Sequence, residues 1–362
     1  MNVSIIGDGL TSLLLAKSLT DMKIKVTLYV SRRVKKKVNT RTIGIANDNF
    51  KLINNEIVEI DKITWKINQI EILSDKLKNE KILNFKKKNE SLFHIIKNNL
   101  FYNVLNGILK KNKFFKKKKI LNHDNFKRLI KNHNDRLIIN CDRNNYISKN
   151  FFYRKDKKEY NNHAYTTLIK HKSIDNRTAI QIFTNKGPIA FLPISKKETS
   201  IVYSIKTSKK LFTNKEIIDL INKYNPKYSI ENFSFINSFE IKSLNLRKYF
   251  YKNILAFGDL LHTVHPLAGQ GFNMSIRDVI EITKIFKSRI NLGLQLDNSI
   301  FKEFEKKKRH KNFLFLSGID LIYEFFNFEK KLKSAKLIEL LKAIGNNKKV
   351  NNFFINFANK GI

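Results

Sequence analysis

Glycine is scarce in this chain, and where it persists it constrains the backbone. Only 12 of 362 residues are glycine and four are proline. Six of those glycines and three of the prolines fall in three short segments: Gly7 with Gly9; Gly187 with Pro188 and Pro193; and Gly258 with Pro266, Gly269 and Gly271. Both residue types supply backbone geometries that others reach only at a cost. The three segments are therefore turns or close approaches that any fold of this chain must accommodate.

The first segment opens a βαβ unit. Residues 2–6 are a short apolar strand, Gly7 to Ser12 reads GDGLTS, residues 13–19 have helical apolar spacing, and residues 25–30 form a second strand. Glycines at such a turn let a pyrophosphate approach the helix N-terminus. The dinucleotide pattern asks for a third glycine where Ser12 stands and for an acid where Val30 stands, beside Tyr29. Taken alone, the spacing is equally that of an ordinary strand–turn–helix. The last segment is richer. Residues 253–257 read as a buried strand, followed by GDLLHTVHPLAGQGFN from Gly258 to Asn273 and a helix beginning near Asn273. Backbone N–H groups and the positive dipole end of that helix suit an anionic ring or phosphate. Asp259 suits the hydroxyls of a sugar or ribityl chain.

Composition narrows the partners. Seventy Lys plus Arg against 31 Asp plus Glu give a net charge of +39. Such a footprint suggests nucleic acid or an anionic membrane. Yet 58 of the cations are Lys, scattered among Asn, Ile and Phe, whose codons are all A/T-rich; Arg, the residue of bidentate base contacts, numbers 12. No specific nucleic-acid partner is expected, and the densest run, residues 110–119, reads as a solvated helix end or loop. The single cysteine, Cys141, excludes an intramolecular disulfide and an all-cysteine metal site. His262 and His265, with Asp259 nearby, read as turn histidines, and no metal is expected. No apolar run approaches the roughly 18–20 residues of a membrane span. Asp8 lies inside the N-terminal apolar stretch, which lacks a basic leader, so the expected location is cytoplasmic. Residues 313–328 are amphipathic and read as a core helix, with a foot on the inner face of a membrane as the alternative.

The pattern GD-x-x-H-x-x-HP-x-AGQG-x-N, Gly258 to Asn273, resembles the FAD motif of the ubiquinone-biosynthesis hydroxylases. These are class A flavin monooxygenases of the para-hydroxybenzoate hydroxylase kind. Residues 40–46 resemble the family segment whose arginine, here Arg41, lies against the flavin, with Asn39 in place of an acid. Trp65 and residues 67–73 resemble the entry into the substrate sheet. Residues 137–149 resemble the A-D-G-x-x-S-x-V-R motif with Asp142 kept; Arg143, Tyr146 and Lys149 stand for its glycine, serine and arginine. Residues 187–193 resemble the G-P-x-A-x-L-P strand over the substrate pocket, and residues 301–357 follow the family's helical tail.

The resemblance implies an α/β + β fold: a discontinuous Rossmann-like FAD-binding domain (residues 1–60, 90–155 and 250–300), an inserted mixed β-sheet substrate domain (61–89 and 156–249), and a C-terminal helical segment (301–362). It implies FAD as cofactor, met transiently by NAD(P)H or another electron donor. The implied reaction is hydroxylation of a polyprenyl phenol by dioxygen on the way to ubiquinone, through a flavin hydroperoxide. Implied cofactor residues are Gly7, Gly9, Ser12, Arg41, Asp259, Gly269, Gln270, Gly271, Phe272 and Asn273. Pro266 forms a wall by the ring and His265 is the nearest candidate base. Gly187, Pro188, Phe191 and Pro193 line the substrate pocket. A ubiquinone-biosynthesis complex and a peripheral membrane contact are further implied partners. The departures at Ser12, Val30 and Arg143 support the alternative of a non-catalytic relative serving as a scaffold.

Overall fold

The computed structural model describes residues 2–31, 41–75, 80–86, 90–120, 123–131, 137–206, 211–265 and 269–331. Thr40, Pro266 and residues 332–362 of the expected helical segment lie outside them.

The N-terminal apolar run forms the strand Asn2–Ile6, almost wholly buried, as a central parallel strand must be when both faces are covered. It pairs in parallel with Lys25–Ser31 on one side and Leu137–Asn140 on the other. The full sheet runs Phe250–Tyr251, Ile254–Ala256, Leu137–Asn140, Asn2–Ile6, Lys25–Ser31, Phe115–Ile120. The intervening helix Leu10–Asp21 is buried on nearly every side and belongs to the largest core cluster. Lys116 to Lys119, read from sequence as part of a helix end or loop, instead form the exposed middle of the edge strand Phe115–Ile120. Backbone pairing to one neighbour suffices to hold an edge strand, and its lysines discourage further pairing.

A second, nine-stranded sheet is built on the long strand Lys155–His171, flanked by Asn237–Leu246 and Glu198–Lys206. It continues through Gly187–Pro193, Thr178–Thr184, Gln69–Ser74 and Glu80–Lys86. The helix Asn214–Lys223 covers one face, with Ile217, Ile221 and Tyr224 meeting Tyr165, Ile201, Tyr203, Ile189 and Phe191. Thr42–Ala46, Phe93–Lys97 and Thr64–Ile67 make a third, small sheet that bridges the other two. Thr42 Oγ1 donates to Ser200 Oγ at 2.8 Å, Lys97 pairs with Glu198 at 2.6 Å, and Trp65 Nε1 donates to the Asn176 carbonyl at 2.6 Å.

Sheet membership differs from the expected divisions in two places. Thr64–Ile67 pairs within the bridging sheet, so the chain enters the large sheet only after Asn68. His262–Thr263 pairs with Leu244 and Asn245 and so joins the large sheet from within the 250–300 block. Lateral backbone pairing decides both, and apolar pattern alone does not report it. The helix Ser299–Lys331 packs on the Gln270–Asn291 helix and on Tyr249, whose N–H donates to Glu305 at 3.0 Å.

Gly187 shows why one glycine is required. Its φ is +147°, and a Cβ there would overlap the Ser204 carbonyl oxygen of the adjacent strand. Gly187→Ala should lower stability by about 2–4 kcal/mol, the combined effect of forbidden backbone and clash. Urea denaturation of the purified protein measures this; a loss below about 0.5 kcal/mol means the hairpin relaxes freely.

Candidate functional site

Three turns meet at the carboxyl ends of Asn2–Ile6, Leu137–Asn140 and Ile254–Ala256, where open α/β sheets bind their ligands. Gly7 has φ +102° and a Cβ would lie 3.4 Å from the Asp142 backbone nitrogen. Gly258 has φ +60° and a Cβ would lie 3.1 Å from the Thr11 methyl group. Gly7 thus packs against the Asp142 loop, and Gly258, some 250 residues on, against the start of the Leu10–Asp21 helix that follows Gly7.

That loop is held by a residue the sequence reading passed over. Asn140 is fully buried; its amide donates to Ser148 Oγ at 2.9 Å and its carbonyl oxygen accepts from Asn145 at 2.7 Å and from the Asp142 N–H at 3.2 Å. Asn145 in turn caps the helix Tyr146–Phe151. The Asp142 carboxylate accepts from the Asn144 N–H at 2.9 Å and closes the turn. An asparagine at the end of a buried strand is the signal that was available, since a buried amide needs several partners.

The residues present fit a dinucleotide. Gly9 caps the Leu10–Asp21 helix without a side-chain bond to its N–H groups, and space beyond its Cα is open for 4 Å. Ser12 is buried in the first turn, where its small side chain preserves helix–strand packing. Gly269, at φ +62°, is likewise open, and the helix Gln270–Asn291 starts there with no side-chain cap. Both amide atoms of the buried Gln270 lack a partner among the described residues. Gly271 lies close to Val264, where a Cβ would be 3.5 Å from its methyl. Asp259 is exposed beside these turns, and Lys117 Nζ of the edge strand sits 3.9 Å from Asp8.

Other expected cofactor residues act at one remove. Asn273 is fully buried and its amide is used up internally. It accepts from the Ala46 N–H at 2.8 Å and from Asn49 at 2.9 Å, and donates to the carbonyls of Gly44 at 2.9 Å and Gly269 at 3.2 Å. Phe272 packs edge-on to Phe101, with centroids 6.2 Å apart, as part of the core. Arg41 is exposed at the head of the Thr42–Ala46 strand, its carbonyl accepting from the Asn98 N–H. His265 is fully buried against Tyr160 and Tyr323. Burial, then the charge of Lys158, pushes its pKa down to about 3. An imidazole held that low is neutral at pH 7 but a weak proton acceptor, and its burial between two tyrosine rings argues against the expected role as base.

The large sheet presents its uncovered face to the bridging sheet. Ala190, Leu192, Ser200, Val202, Ala164 and Thr166 share that face by strand register. Leu192 packs with Ile67, Ile95 and Ala179 at one end; Ala164 meets Tyr160, Ile241 and Tyr323 at the other. Between those anchors Ala190, Val202 and Thr166 are half-buried. Of the four expected pocket residues only Pro188 shares this side. Phe191 and Pro193 alternate to the helix-covered face, where Phe191 stacks on Tyr228 at 5.8 Å, and Gly187 closes the hairpin with Thr184. In residues 187–193 Ile189, Phe191 and Pro193 lie on the helix side, and Pro188, Ala190 and Leu192 on the other.

Behind the helix Gln270–Asn291, Asp278 is fully buried. His262 Nε2 lies 2.5 Å from one of its oxygens, and Lys308 Nζ 3.1 Å from the other. Burial alone would raise the Asp278 pKa; Lys308 and His262 outweigh it and hold the carboxyl down to about 2. His262 is thereby a structural partner, and among the described residues no group of three His, Cys, Asp or Glu is placed to hold a metal.

Residues 155–292 match the FAD binding domain family. The chain is 29% identical to 3-demethoxyubiquinol 3-hydroxylase of Escherichia coli over 153 residues, 41% of this chain and 39% of that protein. It is 23% identical to the ubiquinone biosynthesis monooxygenase COQ6 of Caenorhabditis elegans over 243 residues, 55% of this chain and 54% of that one. These matches span about half or less of the relatives' own length. Among solved structures, p-nitrophenol 4-monooxygenase from Pseudomonas putida superposes with a TM-score of 0.77 at 13% identity, covering 99% of this chain and 98% of that one. HpxO of Klebsiella pneumoniae, complexed with FAD and uric acid, gives 0.71 at 11% identity, covering 100% and 96%. The expected fold is thus observed, and the resemblance to the ubiquinone-biosynthesis flavin hydroxylases is borne out.

Two outcomes follow from this geometry. Asn273→Ala should cost about 2–4 kcal/mol, because it leaves the buried Ala46 N–H without an acceptor; chemical denaturation checks it. His265 and His94, the latter lowered to about 4 first by burial and then by Lys66, titrate below the unfolded-chain value. The unfolded state therefore binds protons that the folded state refuses as pH falls from about 6.5. Stability should drop by roughly 1.4 kcal/mol per pH unit for each histidine down to about pH 4. His265→Phe should remove about half of that slope between pH 6.5 and 5; an unchanged slope would show that His265 is protonated in the fold.

Proposed function

We propose that this chain is an FAD-dependent aromatic-ring hydroxylase acting on a polyprenyl phenol in ubiquinone biosynthesis. One observation carries the reading: glycine-lined turns gather at the carboxyl ends of the parallel strands, and the large sheet leaves a half-buried stretch, Thr166, Ala190 and Val202, without charge. Bound FAD, reduced by NAD(P)H or another donor, supplies the activation of dioxygen and delivery of one oxygen atom to the ring. The chain's own residues do the rest. The Gly7–Gly9 turn and the start of the Leu10–Asp21 helix take the pyrophosphate. Asp259 binds sugar or ribityl hydroxyls. The N-terminus of Gln270–Asn291 stabilises negative charge on the ring, and Asn273 holds the Thr42–Ala46 strand at the right height.

The substrate side is argued from charge. In a chain with 70 basic residues, none of Ala164, Thr166, Ala190, Leu192, Ser200 and Val202 is charged. Such a wall suits a neutral phenol ring and keeps water from the reacting atoms. No helix among the described residues is long and apolar enough to cross a membrane. The Ser299–Lys331 helix does expose Phe313 (52%), Leu314 (37%) and Leu321 (69%), which with the net charge of +39 suits the surface of an anionic bilayer as the source of a polyprenyl chain.

The deciding experiment is the visible spectrum of the purified protein after incubation with FAD and desalting. Retained flavin bands, with oxidation of the reduced protein accelerated by a polyprenyl phenol, support the reading. Val202→Trp should then keep the bands and lose about ten-fold or more of the acceleration, because the indole fills the gap. A folded but colourless protein sinks the hydroxylase and turns the search to a scaffold role.

A further inference from the structure

The half-buried face of the large sheet has a direction. Strand register puts six residues in one line across it: Ile72, Gln181, Ala190, Val202, Thr166 and Asn237. Residues paired across adjacent strands point to the same face. All six are half-buried and none is charged. The lines on either side are closed. Ala164 and Ser204 are buried on one flank, where Tyr160 and Tyr323 pack on Ala164. Leu168 and Ser200 are buried on the other, where Thr42 of the bridging sheet donates to Ser200. The open line is therefore a trough with two walls.

Its two ends differ. Ile72 packs into a cluster with Leu83, Leu92, Phe93 and Phe183, which closes that end. At the other end the strand Asn237–Leu246 is an edge: among the described residues only Leu244 and Asn245 have a strand partner on its outer side. Phe239, on the same face one register pair along, is 47% exposed, and Phe235, just before the strand, is 63% exposed. Glu240 and Lys242 alternate to the opposite face and pair with each other at 2.9 Å. The mouth of the trough is thus apolar in a chain rich in lysine.

We propose that this trough is the path of the substrate's prenyl tail: the ring lies over Ala190 and Val202, and the tail crosses Thr166 and Asn237 and leaves past Phe239. The inference rests on the polyprenyl phenol reading and adds to it a direction and the residues that select a tail. Neighbouring strands lie about 4.8 Å apart, so Val202 is about 10 Å from Asn237 along the trough. That distance covers only the part of a tail next to the ring, and the remainder emerges at the exposed phenylalanines. A neutral, half-buried trough suits a hydrocarbon, because apolar area leaves water there without burying a charge. Selection then acts on the first prenyl units and not on total tail length.

The test follows reoxidation of the full chain, loaded with FAD and reduced, in the presence of phenol, 2-prenylphenol, 2-geranylphenol or 2-farnesylphenol. The concentration for half-maximal acceleration should fall about ten-fold or more from phenol to the geranyl compound and then level off. Asn237→Trp blocks the mouth, and Phe239→Ser removes its apolar lip. Each should raise the half-maximal concentration for the geranyl and farnesyl compounds about five-fold or more while keeping the limiting rate, and so flatten the dependence on length. Both positions lie at an open sheet edge, so thermal midpoints should stay near that of the wild type. Leu292→Ser removes exposed apolar surface at the C-terminal end of the Gln270–Asn291 helix and should leave the series unchanged. Equal acceleration by phenol and its prenylated forms overturns the trough and leaves the hydroxylase standing. Equal weakening in Leu292→Ser overturns it as adsorption to apolar surface. Phe239→Ser that converts a sedimenting dimer to monomer with the length dependence intact overturns it by giving the mouth to a second copy. For protein that retains no flavin, isothermal titration with the same phenols reads the trough by itself: a length dependence lost in Asn237→Trp keeps the trough and removes only the hydroxylase, and no length dependence removes both.

Discussion

One side chain sets the geometry on which the site depends. Asn273 sits on the first turn of the Gln270–Asn291 helix and bonds to the backbone of Gly44, Ala46 and Gly269 and to Asn49. A carboxylate could not donate to the two carbonyls, and a leucine would leave the Ala46 N–H buried and unpaired. The amide is the one side-chain type of that length that both donates and accepts here. Through it the position of a helix N-terminus is tied to the bridging sheet, and through Thr42–Ser200 and Lys97–Glu198 to the large sheet.

A second anchor works from behind. Asp278, five residues further along the helix, joins His262 on the large sheet to Lys308 on the C-terminal helix. Asn312 adds a weaker contact at 3.4 Å, and the Arg277 guanidinium lies 4.5 Å over the Phe315 ring. A buried carboxylate is tolerable only when its charge is matched, so three separated segments must arrive together for the pair to form. The helix that delivers the free N–H groups is therefore clamped at its start by a neutral amide and along its length by a buried charge. Rigid placement of a helix end is what electrostatic stabilisation requires, since dipoles that must reorganise lose their advantage.

The two faces of the large sheet have different neighbours. Ile189, Phe191, Ile201 and Tyr203 fill the side covered by the helix Asn214–Lys223, and Ala190, Ser200 and Val202 stand on the side left open. Period-two alternation guarantees the division, but nothing within residues 187–193 says which set faces a helix. Phe191 looks like a pocket aromatic in sequence and is a core aromatic in the fold.

Local chemistry was legible wherever the backbone itself was the message. The strand at residues 2–6, the Gly7 and Gly9 turn, and the strand and turn that open the Gly258–Asn273 run were legible because glycine geometry and apolar period are properties of neighbouring residues, while the dinucleotide fold came with the resemblance. The partners of those residues were not legible. That Asn273 would bond to Gly44 rather than to a cofactor, that Asn140 would organise the Asp142 turn, and that burial would keep His265 neutral all depend on segments far apart in sequence. Hydrogen-bond partners, burial and charge matching are set by proximity in space. For this chain the sequence by itself determined which turns had to exist; only the tertiary structure decided what each turn faces, because that choice belongs to the packing of whole sheets.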